Sequence, residues 1–251
     1  MLSDPVTHLK GVGPALAEKL GKLGLDTVQD LLFHLPLRYE DRTRITPIAD
    51  LQTGRPALTE GIVSEVRIES GRKRSLLARL RDSTGEIGLR YYYFTAQQKA
   101  RFSQGRRFKV YGEARLGRSG LEMYHPESEL ADPSEPLPTE SQFTPVYPVT
   151  EGIQQKRIRD LCRQALAYLA RFPATDWLPQ QIRSELKLPE LNKALRYLHQ
   201  PPLDANLQAL ADGRDICQQR LVMEELLAHH LSLLKLRYFQ QAMDAPAIAA
   251  E

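Results

Sequence analysis

Apolar positions along this chain change their spacing twice, and each change predicts a different kind of element. Up to residue 50 the spacing is helical. Leu16, Leu20 and Leu23 share one stripe, which Pro14 opens from a first-turn position and Gly24 closes. A second short helix is predicted from Thr27, where Thr27-Val-Gln-Asp30 fits a capping box, through Leu31 and Leu32 to a stop at Pro36. Together with the glycine turn at Gly11 and Gly13, these helices predict a helix-hairpin-helix-like unit over residues 1–50.

Between residues 56 and 130 the period drops to 2. Five alternating runs, 57–69, 75–82, 86–94, 106–116 and 121–127, are separated by turn residues at Gly71, 82–85 and 117–120. The one long gap, 95–105, reads as a capped helix of two turns. Five strands with a helix between the third and fourth is the element order of the OB-fold, a small Greek-key barrel used mostly for oligonucleotides. Residues 131–150 carry Pro133, Pro136, Pro138, Pro145 and Pro148 and read as an extended connector. Helical spacing returns over 151–251, in segments 154–172, 180–186, 189–199 and 214–243, the last with Ile216, Met223, Leu226, Leu227, His230, Leu231 and Leu234 on a broad apolar face. The expected class is α+β and multidomain: a five-stranded OB-fold β-barrel flanked by N-terminal helix-hairpin-helix-like helices and a C-terminal helical segment.

Composition adds exclusions. With 42% apolar and 26% charged residues in 251, the chain matches neither disordered, collagen-like nor membrane-spanning sequences. No apolar stretch reaches a membrane span, and Met-Leu-Ser-Asp-Pro is not a secretory start, so a cytoplasmic protein without membrane contact is expected. Cys162 and Cys217 are distant and sit in helical patterns, as reduced core thiols do.

Charge is distributed unevenly. Residues 67–118 hold 14 Lys or Arg against 4 Asp or Glu, a balance of +10 in 52 residues, while the rest of the chain is at −7. One basic block in a mildly acidic chain is the footprint of a polyanion partner, nucleic acid first among them.

Three groups of residues carry candidate binding chemistry. Gly11 and Gly13 lie at a helix entry, where backbone amides can face a DNA phosphate, although such hairpins also serve as plain turns. In the third predicted strand, alternation sends Ile87, Leu89, Tyr91 and Tyr93 inward and Arg90, Tyr92 and Phe94 outward, beside Arg79 and Arg81 of the second. Rings among arginines make a surface on which bases stack while cations hold phosphates. Arg72, Lys73 and Arg74 form a basic tip in the loop joining the first two strands, and Arg106 and Arg107 extend the same block. Other features are weaker. Glu225 and His229 make an ordinary helix-face pair, and Glu40-Asp41 is flanked by Arg38 and Arg42, which would neutralise it. The chain contains neither a Gly-x-Ser-x-Gly elbow nor a phosphate loop, so no catalytic or metal residue is assigned and no cofactor is expected within it.

The runs Gly11-Val-Gly-Pro-Ala-Leu-Ala-Glu-Lys-Leu20, Thr27-Val-Gln-Asp-Leu-Leu-Phe-His-Leu-Pro-Leu-Arg-Tyr-Glu-Asp-Arg-Thr43 and Arg90-Tyr-Tyr-Tyr-Phe94 resemble the start of the RecG family of bacterial DNA helicases. The resemblance continues through Thr144-Pro-Val-Tyr-Pro-Val-Thr-Glu-Gly152, Leu198-His-Gln-Pro-Pro202 and Arg220-Leu-Val-Met-Glu-Glu-Leu-Leu-Ala-His229, and so spans essentially the whole chain. It implies a wedge domain that sits at branched DNA, such as a stalled fork or Holliday junction, and splits strands while ATPase lobes beyond this chain pull duplex. ATP and Mg2+ are then expected for the full-length protein. The resemblance also puts Tyr92 at the position whose ring stacks on a base at the branch point. Tyr91 and Tyr92 stand where phenylalanine is usual and Tyr93 where asparagine is common, which keeps stacking and removes an amide. The single-stranded-DNA-binding protein is a further implied partner. A competing class is a protein-interaction module, in which the basic barrel captures that protein's acidic tail; a nuclease is a third. A monomer is expected.

Overall fold

In the computed structural model, which describes residues 1–70, 73–117, 120–131 and 142–241, the two N-terminal helical signals become α1 (Pro14–Gly21) and α2 (Val28–Phe33). There follow β1 (Arg38–Glu40), β2 (Pro56–Glu69), β3 (Ser75–Arg81), β4 (Glu86–Tyr91), α3 (Ala96–Arg101), β5 (Arg107–Gly117), β6 (Gly120–Tyr124), β7 (Glu127–Leu130) and β8 (Thr144–Val146). The chain then turns helical, with α4 (Gln155–Arg171), α5 (Gln180–Glu185), α6 (Leu191–His199), α7 (Leu207–Ala211) and α8 (Ile216–Gln241). The architecture is mixed α+β. It divides into two units, one of Met1–Tyr39 with Pro145–Glu251 and one of Glu40–Thr144. Arg72, Arg118, residues 132–141 of the proline-spaced connector and the tail beyond residue 241 lie outside the described residues.

The helical unit is built on the predicted signals. The Thr27 hydroxyl accepts the Asp30 N–H at 3.2 Å and the Asp30 carboxylate accepts the Thr27 N–H at 2.8 Å, closing the capping box that starts α2. Leu20, Val28, Leu31 and Leu32 then pack with Ile158, Leu161, Ala165 and Leu169 of α4 and Leu195 of α6 in one core. Residues 1–39 and the C-terminal helices, separate segments in the sequence pattern, therefore share a hydrophobic interior. Inside it, His199 is fixed by the Tyr147 hydroxyl on Nδ1 and the Leu32 carbonyl on Nε2, each at 2.8 Å, and burial lowers its pKa to about 4. Arg220, fully buried at the start of α8, pairs with Asp176 and Glu224 at 2.6 Å each. Past Val222 the broad apolar face expected of α8 is solvent-facing, with Leu226 61% and Leu231 55% exposed. Among the described residues no helix is long and apolar enough to cross a membrane.

In the second unit β2 is long enough to serve two neighbours. Its first half, through Ile62, pairs antiparallel with β5, and from Ile62 onward it pairs antiparallel with β3, with a register shift between Val63 and Glu65. At the changeover Gly61 lies so close to β3 that a Cβ would sit 2.9 Å from the Arg81 carbonyl, so only glycine fits. β3 pairs with β4, β4 runs parallel to β6, and β6 pairs with β5, so the pairings close into a ring of five strands with β7 added on β5. Val63, Leu76, Ala78, Leu80, Ile87, Leu89, Tyr91, Phe102, Phe108, Val110 and Met123 fill its interior. Two sequence expectations change here. The third strand stops at Tyr91, three residues early, because the chain bends at Tyr92 and Tyr93, and the fifth run divides at His125 and Pro126 into β6 and β7.

Candidate nucleic-acid interface

Alternation along β3 and β4 places Ile87, Leu89 and Tyr91 in the core, as the pattern predicts, and turns Arg79 and Arg90 to the opposite face. There Arg90 is not a free cation. Its guanidinium spans Glu122 on the neighbouring β6 at 2.7 and 2.8 Å, reaches Glu69 at 2.7 Å and donates to Ser75 Oγ at 3.0 Å. Glu69 holds Arg67 at 2.8 Å, Arg67 holds Glu65 at 3.3 Å, Glu65 holds Arg79 at 3.5 Å and Arg79 holds Glu86 at 3.3 Å. Seven side chains of alternating sign thus run across β6, β4, β2 and β3. Glu122 lies against Gly88 and Gly117, and a Cβ on Gly88 would sit 3.2 Å from its Cγ. Arg90's hydrogen bonds hold the Glu122 and Glu69 carboxyls below the usual carboxylate range, and the same partners raise the arginine. Arg90 and Arg79, expected to meet phosphate, are bound to carboxylates instead.

Further cations of the block are also engaged. Arg107 pairs with Glu60, Arg115 with Glu113 at 3.1 Å, and Arg101 donates to the Ser128 carbonyl at 3.3 Å. Lys73, Arg74, Arg81 and Arg106 have no carboxylate partner among the described residues and are exposed. These four fall into two places. Leu76 faces Tyr91 at one end of the β3–β4 ladder and Arg81 faces Glu86 at the other, about 17 Å away at 3.3 to 3.4 Å per residue. Lys73 and Arg74 enter at the tyrosine end, where the Arg74 guanidinium lies 5.5 Å from the Phe94 ring centre. Arg81 and Arg106 lie at the far end, beside the exposed Ile62. Arg72, the third member of the basic tip, is outside the described residues.

The tyrosine end is richer in rings than the sequence pattern indicated. Tyr92 is half-buried against Tyr124, their rings 17° apart with centres at 6.1 Å, and Phe94 packs partly under the core. Tyr93, expected inside, is 79% exposed, because the strand has ended and alternation no longer applies. It stacks on His125, which also meets Tyr91 edge-on and Tyr92 at 5.8 Å. Tyr124 and His125 were not singled out from sequence; two adjacent rings inside the last predicted strand, 121–127, are the signal that could have found them.

In the helical unit Gly11 adopts φ +83 and Gly13 caps α1. The Gly11 carbonyl accepts a hydrogen bond from Arg157, and the Lys10 N–H donates to Gln164 at 2.7 Å, so this turn is tied to α4. Glu40 is neutralised, as its flanking arginine implied: Arg42 pairs with Glu40 at 2.6 Å and Glu127 at 2.7 Å, and sits 4.0 Å over the Tyr111 ring. Among the described residues no three His, Cys, Asp or Glu side chains gather as a metal site, and Cys162 and Cys217 are buried, unpaired thiols.

The closed ring of strands with an aromatic, cationic edge is the kind of platform that binds nucleic acid. Comparison with known proteins places it. The model of the RecG wedge domain matches residues 5–169, and the chain belongs to that family. It is 44% identical over 241 residues to the ATP-dependent DNA helicase RecG of Pasteurella multocida (strain Pm70), covering 96% of this chain and 34% of that protein. To the RecG of Escherichia coli (strain K12) it is 42% identical over 247 residues, covering 98% and 35%. It is also similar to a solved structure of RecG bound to a three-way DNA junction, with a TM-score of 0.67 at 27% identity over 96% of this chain and 32% of that one. The chain thus spans about a third of the length of the curated relatives it matches.

Proposed function

We propose that the ring of strands over residues 56–130 is an OB-fold wedge that binds branched DNA, with 131–150 as a connector and the helices of 1–50 and 151–251 flanking it in sequence. In a full-length ATP-dependent helicase it would split strands at a stalled fork or Holliday junction while the motor pulls. The observation that carries this reading is the ring cluster of Tyr92 and its neighbours beside Lys73 and Arg74, which joins π-faces for unstacked bases to cations for phosphates. Arg72, from the same tip, is assigned to the phosphate path with them. Gly11 and Gly13 are assigned to backbone contact through their amides, since Arg157 takes the Gly11 carbonyl.

ATP and Mg2+ are proposed for the full-length protein alone. The sequence lacks a phosphate loop, and among the described residues no three His, Cys, Asp or Glu side chains gather to hold a metal ion. A competition between a forked DNA and a blunt duplex of equal length tests the reading: the fork should win clearly. Equal affinity for both would sink it.

The far end of the sheet supports a second reading. Arg81 and Arg106 beside the exposed Ile62, with Arg107 next to them, suit an acidic peptide with apolar side chains, such as the tail of the single-stranded-DNA-binding protein. The two readings use different ends of one sheet and are separable by mutation.

A further inference from the structure

His125 is held in an unusual way. It has a left-handed backbone, φ +48, which costs a side-chain-bearing residue strain and persists where the surroundings impose it. Its N–H donates to the Arg90 carbonyl at 2.8 Å, and its Nε2 accepts the Tyr92 N–H at 3.3 Å. These two bonds extend the parallel β4–β6 pairing by one step past Arg90 and Tyr124, the imidazole taking the place of a backbone carbonyl. Accepting at Nε2 puts the ring's proton on Nδ1. The result is that the residues after β4 and after β6 are latched together just where each strand ends.

That latch aligns four rings. Tyr92 lies near-parallel to Tyr124, and Tyr93 lies near-parallel to His125 at 25° and 6.3 Å between centres. Tyr124 lies two residues along β6 from Glu122, which Arg90 clamps through both carboxylate oxygens. The platform is therefore mounted on the buried end of the ion-pair chain, while Tyr93 and Tyr124 keep ring area in solvent. Lys73 and Arg74 stand at the same end of the sheet, which gives phosphates a place beside the rings.

We propose that Tyr124 and His125 are nucleobase-stacking residues which, with Tyr92 and Tyr93, make a site for two successive unpaired bases of a single strand. This rests on the reading of the unit as a wedge for branched DNA. Two parallel ring pairs suit flat, π-faced bases, whereas an acidic peptide would be recognised by cations with the rings incidental.

The test is fluorescence anisotropy of the whole chain with a short labelled oligothymidylate and with a labelled fork, for Tyr92→Ala, Tyr124→Ala, Tyr124→Phe and His125→Asn. Asparagine tolerates the left-handed backbone, so His125→Asn removes the ring without adding strain. Tyr124→Ala and His125→Asn should each weaken oligothymidylate and fork about 5- to 100-fold, the stacking range per base, with blunt duplex little changed. Tyr124→Phe should recover most of the loss seen in Tyr124→Ala. Loss in Tyr92→Ala with none in Tyr124→Ala or His125→Asn overturns the proposal and leaves the wedge reading standing. No loss on the fork in any variant overturns both. A Tyr124→Phe defect as deep as that of Tyr124→Ala, or a Tyr124→Ala effect confined to an acidic peptide probe, also overturns it.

Discussion

Arg90 and Glu122 meet through both carboxylate oxygens across the parallel β4–β6 pairing, with side chains 9% and 2% exposed. A charge at such a site is tolerable only with its partner in place. Arg90→Met strands Glu122 without a countercharge and should cost about 3–5 kcal/mol of unfolding free energy. Replacing both residues with apolar ones of similar size should recover much of that loss. Urea denaturation of the single and double variants decides it: a single-variant cost below about 1 kcal/mol, the range of an exposed pair, would show that the pair is not buried in solution.

What the sequence could reveal about this site follows from which contacts are local. Leu76, Ala78 and Leu80 alternate with Arg79 and Arg81, and Thr27 with Asp30 three residues on announces a helix start, so strands and caps are readable. The destination of the charges was not. Arg90 and Glu122 are 32 residues apart, and Glu60, Glu65 and Glu122 lie outside the basic block yet neutralise Arg107, Arg79 and Arg90 across strand neighbours. A count along the chain cannot see a partner supplied by sheet register. Tyr93 failed for a different reason: period 2 assigns a face only while the strand continues, and β4 ends two residues before it.

Stability should fall in acid in two stages. The Glu122 and Glu69 carboxyls are held below their ordinary value by Arg90, so the unfolded chain protonates first and their stabilisation, complete above the ordinary glutamate pKa of about 4.3, is lost below it. His199 acts in a higher window. Burial lowers it from 6.5 to about 4, so between those values the unfolded chain takes up a proton that the fold refuses, and stability declines as pH drops through that range. Urea unfolding measured across acid pH should show a flatter upper limb for His199→Gln and a flatter lower limb for Glu122→Gln. Variants that track the parent through both windows would rule out these groups.

Both thiols should be inert in the folded protein. Burial pushes Cys162 and Cys217 up to about 12, leaving almost no thiolate at mildly alkaline pH. A thiol-disulfide colour reagent should report no reaction until urea is added, and then both cysteines. Rapid labelling of either one without denaturant would mean that its surroundings open in solution.

The two ends of the sheet should separate by function. Arg81→Ala with Arg106→Ala should weaken an acidic peptide while sparing the fork, and Lys73→Ala with Arg74→Ala should do the reverse, because about 17 Å of the β3–β4 ladder lies between them. Anisotropy with both probes reads this directly. Parallel losses for the two double variants would mean one shared polyanion surface.

The most direct test of the wedge reading is a salt titration of fork and blunt-duplex binding for the parent chain and Tyr92→Ala. Phosphate contacts set the salt slope, at about 0.9 log unit per contact per log unit of salt on duplex, whereas stacking sets the offset. The account predicts that Tyr92→Ala loses about 1–3 kcal/mol on the fork, keeps the parent's salt slope, and binds duplex as the parent does. Tyr92→Phe should bind the fork nearly as the parent does, since the ring face makes the contact. Equal losses on fork and duplex, or no loss on the fork, would contradict it and remove Tyr92 from the interface.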